Sequence, residues 1–209
     1  ESRWPNGIYV VFPGNVGDDR AVARMITILD NHPLVLQNRG STDRVDTIIS
    51  KIITPELVEA LRKAQPLTWH GIHGVSHWQR VRENGLHLAG ISGADIAVVE
   101  YFAFLHDIKR LNDGRDPHHG QRSADFARTI RTALIHLDDA QFEQLIYACA
   151  EHTRGLTRAD ITIGTCWDAD RLDLARVGII PDPKRLCTEA ARDPEIRNGP
   201  FAGVGQFWI

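Results

Sequence analysis

Among the side chains of this 209-residue chain that could hold metal ions, six stand out by type and spacing: His77, His106, Asp107, His119, His152 and Asp170. Imidazole and carboxylate suit a borderline divalent cation, and mixed ligation of this kind favours a transition metal over Mg or Ca. The centre of the pattern is His106-Asp107, which closes the most apolar stretch of the chain, 96–105. A His and an Asp at the end of a buried helix are costly unless paired, protonated or bound to a metal. For the dipeptide alone, a solvated helix end explains the pair equally well. Its company changes that balance. His77 lies on the helix expected before it, His119 begins the one after, His152 ends the next and Asp170 lies on the one after that. Helices in a bundle can aim such groups at one point in the core. A cation held in such a cluster would lower the pKa of a bound water.

Other residues compete for these roles or assist them. His73 and His77 are one helical turn apart, but the HxxxH lacks the Glu of a zincin motif. His118 adjoins His119, and Asp168 lies one half-turn from Asp170. Lys109, Arg110, Arg154 and Arg171 adjoin ligand candidates in sequence and could neutralise a phosphate; for any one of them a surface charge is the plainer reading. Arg80 follows His77 by three residues on the same helical face and is the favoured partner for a phosphate or carboxylate. His32, His87 and His136 read as packing or surface histidines, and Trp69, Trp78 and Trp167 as core.

The elements that must position these groups are mostly helical. Thr54 caps and Pro55 opens a helix over 55–64. Further helices are expected over 75–90, 96–105, 120–137, from Asp138 or Asp139 to about 152, and over 165–177, stopped by Gly178. The 96–105 helix is apolar on nearly every side and should be central and buried, with Ser92 to Asp95 as its capping box. Before these, 7–12 and 34–36 read as strands, and 20–30 and 45–53 as helices. The expected organisation is mainly α: a small N-terminal α/β appendage over 1–65, a helical metal-binding domain over 66–180 and a packed tail over 181–209.

Composition bounds the rest. Hydrophobic residues make up 43% and charged residues 24%, as in ordinary globular proteins, and a net charge of −3 gives no sign of a binder dominated by nucleic-acid phosphates. Three cysteines without a CxxC pair indicate reduced thiols and a cytoplasmic setting. The longest apolar run is short and broken by Glu100, so no membrane partner is expected. Ten histidines occur, and all but His32 fall between 70 and 152.

In order and spacing, several pieces resemble the HD-domain metal-dependent phosphohydrolase superfamily. They are Ser76-His77-Trp78-Gln79-Arg80-Val81, Phe104-Leu105-His106-Asp107-Ile108, His118-His119 followed by Ser123-Ala124, Glu151-His152-Thr153, and Asp168-Ala169-Asp170-Arg171-Leu172-Asp173. The resemblance covers about 70–177. It implies an HD-domain helical bundle in which His77, His106, Asp107 and Asp170 hold one metal. Asp107, His119 and His152 hold a second, with Asp107 bridging. The position of Ser123-Ala124 favours His119 over His118, and the following Arg171-Leu172-Asp173 favours Asp170 over Asp168. One or two divalent transition-metal ions are implied (Mn, Fe, Co, Ni or Zn, with Mg admissible). The implied partner is a small phosphorylated substrate, a phosphomonoester or phosphodiester, nucleotide-like. Asp107, Lys109 and Arg80 are the expected catalytic set, and Arg80, Lys109, Arg110, Arg154 and Arg171 the expected substrate-binding set. The sequence departs from many relatives after His-Asp, where Ile108-Lys109-Arg110 supplies no acidic helper. The stretches Trp69-His70-Gly71-Ile72-His73-Gly74 and Gly164-Thr165-Cys166-Trp167-Asp168 read as marks of a subfamily. Two other functions remain open on this scaffold: a di-iron oxygenase and a non-catalytic metal-stabilised binding module.

Overall fold

A computed structural model describes residues 49–197, all within one compact unit, Arg44–Ile209. The described residues are mainly α-helical and contain no strand. The strands expected at 7–12 and 34–36 and the helix at 20–30 lie outside the described residues. The helix expected over 45–53 does not extend through 49–53. There Ser50 Oγ accepts from the backbone N–H groups of Ile52 and Ile53 at 3.1 and 3.0 Å, and the segment bends instead of coiling. A serine that satisfies nearby backbone donors offers the chain an alternative to helix.

Helix α1, Pro55–Ala64, begins as its residues dictate. Thr54 Oγ1 accepts from the Leu57 N–H at 3.3 Å, and Pro55 fills a position whose N–H has no helical partner. Its buried face is Leu57, Val58 and Leu61. Helix α2, Val75–Ser92, ends at Gly93 in the left-handed region, φ 76°. Helix α3, Ile96–Leu105, is the apolar one, buried at every position from Val98 to Leu105. Its cap is Asp95, whose Oδ1 accepts from Ala97 and Val98 N–H at 2.9 and 3.1 Å. Ser92 is not the cap: it is the last residue of α2, and its hydroxyl meets Thr165 Oγ1 at 3.2 Å. The expected box therefore reduces to its final residue.

Helix α4, His119–Leu134, packs against α5, Asp139–Glu151. Asp138 and Gln141 close a reciprocal capping box at the start of α5. A single 3-10 turn, His152–Arg154, follows and stops at Gly155, φ 70°. Helix α6, Ile161–Leu172, starts earlier than expected because Asp160 caps it through the Thr162 N–H at 2.9 Å. Past Leu172 it tightens into a 3-10 turn, Asp173–Val177, which Gly178 ends. The described part of the tail holds a 3-10 turn, Pro183–Arg185, and two short helices, Glu189–Arg192 and Pro194–Arg197.

Helix α3 is the axis of the bundle: α2, α5 and α6 all pack on it, α2 packs on α6, and α4 lies on α5. One close approach matters for the site. A Cβ on Gly120 would stand 2.5 Å from Cys149 O and 3.1 Å from His152 Nδ1, so only glycine lets the start of α4 reach the end of α5. That contact brings His119 beside His152. No helix among the described residues is long and apolar enough to cross a membrane.

Candidate metal centre

His77 comes from the first turn of α2, His106 and Asp107 from the end of α3, His119 from the start of α4, His152 from the turn after α5 and Asp170 from α6. The bundle brings all six together. The two groups they form share Asp107.

In the first group, His77 Nε2 and His106 Nε2 are 3.1 Å apart. Asp170 Oδ1 lies 3.5 and 3.7 Å from them, and Asp107 Oδ2 lies 3.7 and 3.8 Å from them. In the second, His119 Nε2 and His152 Nε2 are 2.8 Å apart, with Asp107 Oδ1 at 2.8 and 3.5 Å. Atoms bound to one cation at about 2.1 Å stand roughly 3 to 3.5 Å from one another in tetrahedral or square arrangements. Three of these eight separations fall in that range and the others lie within about 0.3 Å of it.

The tautomers explain why a cation fits. His77 Nδ1 lies 2.7 Å from Asp173 Oδ2, and His106 Nδ1 lies 3.1 Å from the carbonyls of Phe102 and Ala103. His119 Nδ1 lies 2.5 Å from Asp116 O, and His152 Nδ1 lies 2.7 Å from Cys149 O. Facing an oxygen acceptor, each Nδ1 carries the proton, so each neutral ring turns a lone pair on Nε2 inward. Two pairs of lone pairs thus face each other, which is repulsive unless a proton or a cation stands among them. Asp107 Oδ1 is buried without a hydrogen bond, although His119 Nε2 is only 2.8 Å away. The approach is close but lacks hydrogen-bond geometry, as expected of two ligands of one ion and not of a donor and its acceptor.

The buried groups also set one another's ionisation, His106 toward the neutral ring and His152 toward the charged one. Burial pushes His106 down to about 3, further than the nearby Asp107 and Asp170 carboxylates lift it, so its ring stays neutral. Burial also opposes ionisation of Asp107, but the surrounding imidazoles, His106 foremost and then His119, His152 and His73, outweigh it and hold the carboxyl well below the usual range. Asp170 is likewise lowered: His106, His77 and His152 overcome its burial. His152 is raised because the neighbouring Asp107 carboxylate outweighs burial.

The basic residues divide. Arg110 reaches the second group, with Nη1 3.3 Å from His119 Nε2 and 3.6 Å from Asp107 Oδ1. Arg80 acts at one remove, chelating Asp173 through Nε at 2.6 Å and Nη2 at 3.1 Å. Lys109 departs from both roles expected of it: Nζ donates to Ala64 O at 2.7 Å and lies 4.6 Å from the Phe126 ring centre, which ties it to the end of α1. Arg154 is exposed and pairs with Glu151 at 3.1 Å. Arg171 is committed to Arg185 O and Leu156 O at 2.7 and 2.6 Å, where it binds the tail to α6. Asp168 has the same structural task, accepting from Cys187 and Thr188 N–H, which leaves Asp170 as the acidic residue at the centre. His118 is exposed while His119 is buried. Trp78 and Trp167 are core residues, as expected.

Two contributors, Asp173 and Asp116, were not foreseen, and His73, weighed only as a rival ligand, acts beside them. Asp173, fully buried, orients His77 and gathers Arg80 and Arg176. Its signal was available: it lies three residues past Asp170, hence on the same helical face. Asp116 holds His119 through its carbonyl and holds Arg122 and the Leu111 N–H through its carboxylate. His73 approaches Asp107 Oδ2 at 3.0 Å. Carboxylates and carbonyls behind ligand histidines fix ring orientation and tautomer.

No protein-family model matches the chain, and no curated protein matches it. Among solved structures, its fold is that of HD superfamily hydrolases. One similar protein is a predicted HD superfamily hydrolase from an uncultured Thermotogales bacterium, 25% identical, covering 70% of this chain and 83% of that one, with a TM-score of 0.55. The His/Asp cluster is consistent with an HD metal site. The resemblance read from the motifs and the mainly α fold are thereby shown.

Proposed function

We propose that the protein is a metal-dependent phosphohydrolase acting on a phosphomonoester or phosphodiester, a nucleotide or a related small molecule. The observation that carries this reading is the pair of converging imidazole groups bridged by Asp107, with four Nε2 lone pairs turned inward. His77, His106, Asp107 and Asp170 would hold one divalent transition-metal ion, and Asp107, His119 and His152 a second. Ions so held supply Lewis acidity and lower the pKa of a water at neutral pH.

The chain's own residues do the rest. Arg110 lies against the second group, where its cationic side chain would be repelled by a metal unless an anion stood between them. A phosphoryl oxygen meets that need, and a guanidinium binds it with directional donors. The Arg80–Asp173–His77 chain fixes one ligand ring in place. Asp107 keeps its charge and spans both groups. The turn after α3 supplies no acidic side chain beyond Asp107 for proton transfer.

The test is metal content by elemental analysis, with a panel of nucleotides and phosphodiesters hydrolysed under added Mn, Co, Ni, Fe, Zn or Mg. Metal-dependent phosphate release that His106→Ala and Asp107→Ala abolish is expected. Oxygen-dependent turnover by an iron-loaded protein would favour the oxygenase. A folded protein that takes up no metal would end the hydrolase reading.

A further inference from the structure

The stretch Trp69-His70-Gly71-Ile72-His73-Gly74 supplies none of the six ligands assigned above, although His73, His77 and Asp107 lie close enough to hold an ion themselves, and its backbone is tightly specified. The Gly71 N–H donates to Thr68 O, Gly74 to Gly71 O and Val75 to Trp69 O, at 2.9, 2.9 and 2.8 Å. A Cβ on Gly74 would stand 2.1 Å from Trp69 O, so the coil closes only around glycine. Arg176 fastens the same segment from the other side, donating through Nε to Ile72 O at 3.2 Å and through Nη1 to Asp173 O at 3.0 Å. The product of this construction is the placement of one ring, His73, against the carboxylate shared by both metal groups.

His73 is oriented opposite to the four ligand histidines. They turn Nδ1 outward to an oxygen and Nε2 inward. His73 turns Nδ1 inward, 3.0 Å from Asp107 Oδ2 in hydrogen-bond geometry, while its Nε2 has only a long 3.4 Å approach to Asp113 O. Arg176 Nη2 also stands 3.4 Å from Nδ1, but it is a donor and cannot satisfy an N–H. The carboxylate can, and it is nearer.

We infer that His73 is a positioning residue: its Nδ1–H donates to Asp107 Oδ2 and fixes the rotation of the bridging carboxylate, so that Oδ2 faces His77 and His106 while Oδ1 faces His119 and His152. Without that bond the carboxylate is free to turn both oxygens toward one metal position and leave the other short of a ligand. The inference rests on the metal-centre reading above for its consequence, but not for the bond itself.

The experiment compares wild type with His73→Asn and His73→Ala. The amide nitrogen of Asn falls near the place of Nδ1 and keeps the donor without an imidazole lone pair. Manganese titration followed by electron paramagnetic resonance reports bound ions and their coupling through the shared carboxylate. Wild type is expected to bind two ions with a spin-coupled signal. His73→Ala is expected to weaken the second ion about 10- to 100-fold, the usual effect of removing an outer partner, and to replace the coupled signal by that of an isolated ion. Its helical circular dichroism should be unchanged, and His73→Asn should restore the coupled signal. An unaffected Ala variant, or an Asn variant as impaired as Ala, would overturn the inference, the second outcome pointing to His73 as a direct ligand.

In metal-free wild type, long-range proton–nitrogen correlation reads the tautomer directly. A proton on Nδ1 is expected, and one on Nε2 alone overturns the inference whether or not the protein binds manganese. Absence of manganese binding by wild type would instead count against the metal-hydrolase reading.

Discussion

Asp173 touches no metal-facing atom, yet the orientation of His77 depends on it. Replacing it with Asn keeps the shape but removes the charge that sets the His77 tautomer and holds Arg80 and Arg176. Metal affinity of Asp173→Asn, measured by competition with a chelator, is expected to fall about 10- to 100-fold. An unchanged affinity would show that His77 holds its orientation by packing alone. Lys109 and Arg110 make the complementary pair. They are adjacent in sequence, and only one faces the histidines. Lys109→Met should cost about 1 kcal/mol of stability through the lost bond to Ala64 O and leave KM and kcat near wild type. Arg110→Ala should raise KM for a phosphorylated substrate about tenfold or more, the loss of one charge-assisted bond. Steady-state kinetics and urea melts on the two variants separate these outcomes.

The helices show which features a sequence makes legible and which it hides. The 96–105 segment could be read as the buried axis because it is apolar on every side, and the structure gives it those bounds. The six ligand candidates were readable because each is a costly residue type near the end of a helix. Ser92 misled because its serine belongs to the preceding helix, and local pattern does not say which of two abutting helices a residue serves. Lys109 misled for a related reason. Two residues past Asp107 amount to roughly 200° of helical rotation, and in the turn after the helix the Lys109 amine points to Ala64 and Phe126. Asp116 acts on near neighbours, partly through its backbone carbonyl, which residue type does not announce; Asp173 and His73 meet partners distant in sequence, and those pairings exist only in the packed bundle. Gly120 belongs to the same class. Gly120→Ala places a methyl against the carbonyl of Cys149, whose oxygen is part of the α5 backbone. It should lower stability by about 1–3 kcal/mol and separate His119 from His152, so thermal melts with and without added metal should lose the metal-dependent part of the stabilisation. A variant that melts later with metal, as wild type should, would refute this.

For the whole molecule the cluster of neutral rings makes stability depend on both metal and acid. In the metal-free protein His106 sits at about 3, against about 6.5 for an unfolded histidine. The unfolded chain therefore binds this proton more readily. The stabilising contribution is full above about 6.5 and is lost as pH falls from about 6.5 toward 3. His152 has the opposite sign: it is raised, so its contribution is full below the unfolded value and is lost as pH rises through its folded value. The two windows do not overlap, and His106 governs the acid side of 6.5. Melting of metal-stripped protein should come at lower temperature at pH 5 than at pH 6.5. A flat or rising profile would mean that the ring protonates in place. Any ion that binds only the folded state adds about 2.7 kcal/mol when present at a hundred times its Kd, so chelation should lower the melting temperature at neutral pH.

The order of the ligands along the chain has a consequence for biosynthesis. Asp107, His119 and His152 are all in place once α5 has been made, whereas the other group waits for Asp170 on α6 and for Asp173 behind His77. During translation the Asp107–His119–His152 position can thus be complete while the rest of the bundle is still being made. A chain released before α6 would hold the donors for one ion and only part of those for the other. If both positions are filled as proposed, the order of synthesis sets which becomes competent first, with Asp107 already in place for the second.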